Sequence, residues 1–174
     1  MIHLLALLPL MIMSLNINFN TNEVNDWRVV NDGVMGGLSK GVLTYNDSTV
    51  VFRGALSLAN NGGFASFQSP LGDYDLSEYK TVSIRHRGSG GTFGFRLKTS
   101  EPFYLPYYKV QFTPREEWQV STFELKDFDE WRLSDKTGNK ITKTDLSGII
   151  RMGIIKSDKK EGPFVLEVDQ IRFE

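Results

Sequence analysis

Phe93-Gly94-Phe95-Arg96-Leu97-Lys98, followed by a loop and then Tyr108-Lys109-Val110-Gln111-Phe112, alternates apolar and polar side chains with a period of two. Only extended backbone sends every second side chain to the same side, so each run reads as a strand with one face in a core. The same period recurs in Val50, Phe52, Gly54, Leu56 and Leu58, in Val82, Ile84 and His86 with Arg85 and Arg87 opposite, and in Ile150, Met152 and Ile154. Phe93, Phe95, Leu97, Tyr108, Val110, Phe112, Ile150, Met152 and Ile154 are therefore expected between two sheets, with Arg96 and Lys109 on the solvent side.

Two runs change phase. Trp118 and Val120 are out of step with Phe123 and Leu125, and Phe164, Leu166 and Val168 with Ile171 and Phe173. Such slips indicate bulges or strand ends, the second at Asp169-Gln170. No window carries a long amphipathic helix. Asp127 to Leu133 reads as one helical turn, and Ser134 to Thr144 as an exposed polar loop. Roughly ten short strands joined by Gly-rich turns define an all-β chain, a jelly-roll β-sandwich rather than an α/β fold.

With 174 residues the chain suits one domain, and its formal net charge of -1 offers no basic field for nucleic acid. The cluster Lys156 to Lys160 contains Asp158 and reads as a solvated turn. Cysteine is absent, which excludes thiol catalysis, disulfides and thiolate-bound metals. With only His3 and His86, histidine-rich zinc sites and Ser-His-Asp relays lack material. Glu167 and Asp169 share a phase, but no acidic calcium loop accompanies them, so neither a metal nor a cofactor is expected. Asp32, Asp73, Asp75 and Glu167 form no recognisable catalytic pair, and no enzyme activity is expected.

The uncharged run Leu4 to Met13 is too short to span a bilayer, which takes about 20 apolar residues. Residues 1–15 are read as an apolar leader with the length of a secretory signal peptide, and 16–174 as the folded domain. An exported or periplasmic location is thus expected over a cytoplasmic one. The alternative is a first strand with an apolar arm.

Between the first strands lies Trp27-Arg28-Val29-Val30-Asn31-Asp32-Gly33-Val34-Met35-Gly36-Gly37-Leu38-Ser39-Lys40-Gly41. Asn31-Asp32-Gly33 favours a tight turn, with Asp32 capping its own backbone, and Gly36-Gly37 permits a bend or a close approach. The spacing suits neither a phosphate loop nor a dinucleotide fingerprint. Asn31, Asp32, Met35, Gly36 and Gly37 are either turn geometry or a binding rim. In the aromatic run Phe103, Tyr104, Tyr107 and Tyr108, alternation sends Tyr108 to the core. Tyr104 and Tyr107 are left as surface candidates to stack on a sugar or anchor a protein.

Trp27 to Ser39 resembles the signature opening of the complex I intermediate-associated protein 30 (CIA30) family. Gly63-Phe64-Ala65-Ser66-Phe67, Trp118-Gln119-Val120, Ile154-Ile155-Lys156-Ser157-Asp158-Lys159 and Gly162 to Ile171 agree with it. The resemblance covers roughly Ile17 to Glu174. It implies a galactose-binding-like β-sandwich and a non-enzymatic binding or assembly-factor role, since mitochondrial members assist assembly of respiratory complex I. The leader lacks the Arg-rich and Ser-rich character of a transit peptide, which points to a bacterial-type member. A protein partner at the Gly-rich rim is the implied interaction, and a carbohydrate-binding module using exposed aromatics is the alternative.

Overall fold

A computed structural model describes residues 13–19 and 26–174. Most of the leader, and with it the signal-peptide expectation, lies outside the described residues. In chain order the strands are β1 (Leu15–Asn18), β2 (Arg28–Asn31), β3 (Lys40–Tyr45), β4 (Val50–Leu56), β5 (Ala65–Gln68), β6 (Thr81–Ser89) and β7 (Phe93–Lys98). They continue with β8 (Tyr107–Phe112), β9 (Gln119–Glu124), β10 (Asp129–Arg132), β11 (Asp135–Lys140), β12 (Arg151–Lys156) and β13 (Gly162–Phe173), with one short helix, α1 (Lys143–Ser147), before β12.

The strands form two antiparallel sheets that pack face to face as a jelly-roll-like sandwich. One runs β3-β4-β13-β6-β9, with β1 pairing the end of β13; the other runs β11-β10-β8-β7-β12-β5-β2. Phe93, Phe95 and Leu97 of β7 face Phe112, Val110 and Tyr108 of β8 in register, all six buried. Rings carry the contact between the sheets in an unbroken chain, Phe19–Trp27–Phe67–Phe52–Phe164–Phe93–Phe112–His86, with centroids 4.5 to 6.1 Å apart. Each ring pair of this kind contributes about 0.5–1.5 kcal/mol beyond the area it buries.

β13 carries the expected bulge. Its register against β6 shifts between Val168 and Gln170, which turns Ile171 and Phe173 back into the core. β9 does not: it pairs β6 from Thr81↔Glu124 to His86↔Gln119 without a shift. Its inward phase is Gln119, Ser121 and Phe123, so Val120 is exposed and Trp118 lies outside beneath Arg85 and Arg87, 4.5 and 4.8 Å from its ring centroid. The apparent slip is an outward-facing aromatic, held by cations instead of by the core.

Ile150 is another departure, being only half-buried while Ile149 bridges to Tyr74 and is fully buried. The expected loop Ser134 to Thr144 contains β11, which is exposed along its length, and the start of α1. Of the expected helical turn Asp127 to Leu133 only Asp127 is helical, as the end of a 3-10 turn Leu125–Asp127, and Asp129–Arg132 is strand. The hairpin between β10 and β11 turns at Leu133, with φ 56°, and a leucine gives no turn signal.

Lys156 also departs from the solvated-turn reading. Its side chain is fully buried beside Phe93 and ion-paired with Asp158, whose other oxygen accepts the Thr92 N–H at 2.9 Å. Gly91 leaves room for this pair, since a Cβ there would sit 2.4 Å from an Asp158 oxygen.

His86 lies in the core against Phe112, with Nε2 2.9 Å from the Ser121 hydroxyl, and burial pushes its pKa down to about 4. The unfolded chain therefore takes up the imidazole proton first. Stability should hold above pH 7 and fall by about 2 kcal/mol from pH 7 to 5 through this group alone. Urea titrations of the wild type and His86→Gln at both pH values check this. The variant is expected to lose most of that slope, and an unchanged slope would contradict it.

Candidate functional site

Asn31 closes β2 with a side chain that crosses to the other sheet. Its Nδ2 donates to the Gly41 carbonyl and its Oδ1 accepts the Gly41 N–H, both at 3.1 Å. Asp32 opens a 3-10 turn, Asp32–Met35, and is 1% exposed. One carboxylate oxygen accepts the Ser39 N–H at 2.9 Å; the other accepts those of Gly63 at 2.6 Å and Phe64 at 3.2 Å. Burial opposes ionisation of Asp32, but the hydrogen bonds from Ser39, Gly63 and Phe64 outweigh it and hold the pKa below the ordinary carboxylate value. Asp32 thus ties the end of its own loop to a second, distant loop rather than capping its own turn.

The glycines make room for that carboxylate. A Cβ on Gly37 would sit 2.4 Å from the Asp32 Cγ, and one on Gly62 would sit 2.6 Å from Oδ2. Gly36 takes φ 86°, which a side chain would strain. Ser39 exchanges hydrogen bonds with both the N–H and the carbonyl of Ser57, and Asn60 donates to the Gly36 carbonyl. The loops 32–39 and 57–64 are thereby joined into one rim, on which Met35 (58%), Leu38 (56%) and Leu58 (39%) stand exposed.

Tyr104 and Tyr107 are not part of that rim. The register places Asn31 at the Lys156 and Phe93 end of the seven-stranded sheet, whereas the loop carrying Tyr104 follows Lys98 at the opposite end. Tyr104 is 52% exposed and meets Phe103 edge-on at 5.7 Å. Tyr107 is buried, and its hydroxyl donates to the Leu133 carbonyl at 2.9 Å.

A second surface escapes sequence reasoning. On the outer face of the seven-stranded sheet, Gly153, Arg96, Lys109 and Asp129 form one row across β12, β7, β8 and β10. Arg151 and Lys98 are paired in a row alongside, and Tyr107 faces Trp131. Lys109 was expected in solvent, but Trp131 covers it: the residue is 5% exposed with Nζ 3.5 Å from the ring centroid.

Asp129 bonds to Lys136 and Lys140, at 2.5 and 2.6 Å, rather than to Lys109 opposite it. Arg151 is held by the Ser69 carbonyl and Glu101, and Lys98 donates to the Glu101 carbonyl. Burial, then the positive charge of Arg96, pushes Lys98 and Lys109 down to about 8. The outer face of the other sheet differs, because there Arg85 and Arg87 are ion-paired with Asp169 and Glu167.

Such a sandwich is the architecture of known carbohydrate-binding modules. The chain is similar to a family 11 carbohydrate-binding module from Clostridium thermocellum in complex with a β-1,3-1,4-mixed-linked tetrasaccharide. The two share 15% identity over 92% of this chain and 94% of that one, with a TM-score of 0.68. The family 11 module of the cellulosomal cellulase Lic26A-Cel5E of Clostridium thermocellum matches at 14% identity over 93% and 94%, TM-score 0.69. A family 29 carbohydrate-binding module, CBM29-2, matches at 11% identity over 93% and 87%, TM-score 0.53. At these identities the likeness shows the fold. Residues 17–168 match the family model of complex I intermediate-associated protein 30 (CIA30), and the chain belongs to that family.

Asp32→Ala leaves three N–H groups without their acceptor and should cost about 3 kcal/mol or more at pH 7 in urea denaturation. The loss should shrink only as pH falls through the depressed pKa of Asp32, because the ionised carboxylate makes the bonds. A cost below ~1 kcal/mol would contradict the assigned bonds.

Proposed function

We propose that the chain is a non-catalytic binding protein that engages a protein partner through the rim of loops 32–39 and 57–64. The observation that carries this reading is the exposure of Met35, Leu38 and Leu58 on loops fixed by the Asp32 carboxylate. Apolar side chains on a pre-ordered loop lose little freedom on docking, so their burial goes largely into affinity. Membership of a family described by its association with complex I intermediates supports a protein partner. Both oxygens of Asp32 are occupied by backbone N–H groups, which leaves the rim's buried acid unsuited to proton transfer and supports a non-catalytic role.

A carbohydrate-binding role is the second reading, favoured by the exposed Phe103–Tyr104 ring pair and by the fold shared with the family 11 modules. One experiment separates the two. A photo-crosslinking amino acid at position 35, in cells of the native host, should form an adduct with a discrete protein. Leu38→Asp should abolish that adduct, while Phe103→Ala should leave it intact. No adduct, or one indifferent to Leu38→Asp, would remove the rim reading. Binding of neutral oligosaccharides that is lost in Phe103→Ala would favour the second.

A further inference from the structure

We propose that the outer face of the seven-stranded sheet, centred on Arg96 and Lys109, binds an acidic polysaccharide that carries a carboxylate on successive sugars. This goes beyond the rim reading and uses a separate surface.

Charge segregation is the first ground. Among the described residues, the ion pairs of the group Arg96, Lys98, Lys109, Lys136, Lys140 and Arg151 involve two carboxylates, Asp129 and Glu101, on a chain whose net charge is -1. Arg96 and Lys109 are direct cross-strand partners, an arrangement of like charges that weakens a sheet unless something between them is negative.

Unused donors are the second. Among the described residues the Arg96 guanidinium meets only the Tyr107 ring, at 5.8 Å, and donates to no protein acceptor. Lys109 Nζ, on a side chain more than nine-tenths buried, meets only the rings of Trp131 and Tyr107. A carboxylate would supply the charge and the acceptor lone pairs that neither cation finds among the described residues.

The form of the surface selects the ligand. Arg96 and Lys109 stand directly opposite each other on adjacent strands, and strands repeat about 5 Å apart, comparable to the step from one sugar to the next in an extended polysaccharide. The Trp131 face beside Lys109 is taken by the ammonium, which disfavours stacking of a neutral sugar there. β12, β7 and β8 are each paired on both sides, so an acidic peptide would find no free strand edge to extend. Gln111, exposed on the same face, adds an amide suited to sugar hydroxyls.

Calorimetry of the full chain with oligogalacturonate and with alginate oligosaccharides, alongside a neutral β-glucan and polyglutamate, tests the proposal. Binding of at least one uronate oligomer is expected, weakening with added salt. Arg96→Gln, which breaks no hydrogen bond within the protein, should weaken it at least about tenfold, with the melting curve confirming an intact fold. Arg53→Gln, on the outer face of the other sheet, should leave it unchanged. Failure to bind either uronate, or equal affinity in Arg96→Gln, would overturn the proposal. So would tighter binding of polyglutamate or of the neutral glucan. Met35→Asp should not alter uronate affinity, so this site and the rim succeed or fail separately.

Discussion

A single carboxylate, that of Asp32, is held between backbone N–H groups from two loops far apart in sequence. Several residues of the signature stretch are arranged around it or beside it. Trp27 anchors the approaching chain among Phe19 and Phe67, and Asn31 ties the end of β2 across the sandwich to Gly41. Gly37 and Gly62 leave the space the carboxylate occupies, and the Asp32 side chain then fixes Ser39, Gly63 and Phe64. A buried anion surrounded by N–H donors tolerates little rearrangement, because any donor that moves away leaves charge uncompensated in a poorly solvated place. The rim is consequently ordered by chemistry beneath it, and its apolar side chains are free to face outward.

The architecture was legible wherever one face of a strand is dry and the other wet. β7 and the end of β13 alternate because the core removes water from one side only, and β8 alternates in sequence although its outer Tyr107 and Lys109 are also covered. Legibility failed where both faces are wet, as in β11, or where an outward aromatic imitates a core residue, as Trp118 does beside Arg85 and Arg87. Lys156 failed for the converse reason: Asp158 is plain in the sequence, but the space at Gly91 in which the pair is buried appears only in the fold.

The candidate sites divide in the same way. Asn31, Asp32, Met35, Gly36 and Gly37 could be singled out because they are contiguous and glycine-rich. The structure separates them into groups that build the rim and a side chain, Met35, that stands on it. Arg96 and Lys109 carried no such signal, since each reads as the polar half of an alternating strand. Their juxtaposition depends on the β7–β8 register, and the near-zero net charge of the whole chain conceals a face where cations outnumber acids. The opposite sheet shows the usual solution, with Arg85 and Arg87 neutralised by Asp169 and Glu167.

Amide hydrogen exchange, resolved by residue, reaches the central claim most directly. If Asp32 is the constraint that joins the two loops, replacing it with Asn should expose the amides of Ser39, Gly63 and Phe64 to faster exchange together. Amides in the middle of β7 and β12 should keep their protection. Acceleration at only one of the three positions, or none, would mean that the loops are held independently and that the carboxylate is not the element on which the rim depends.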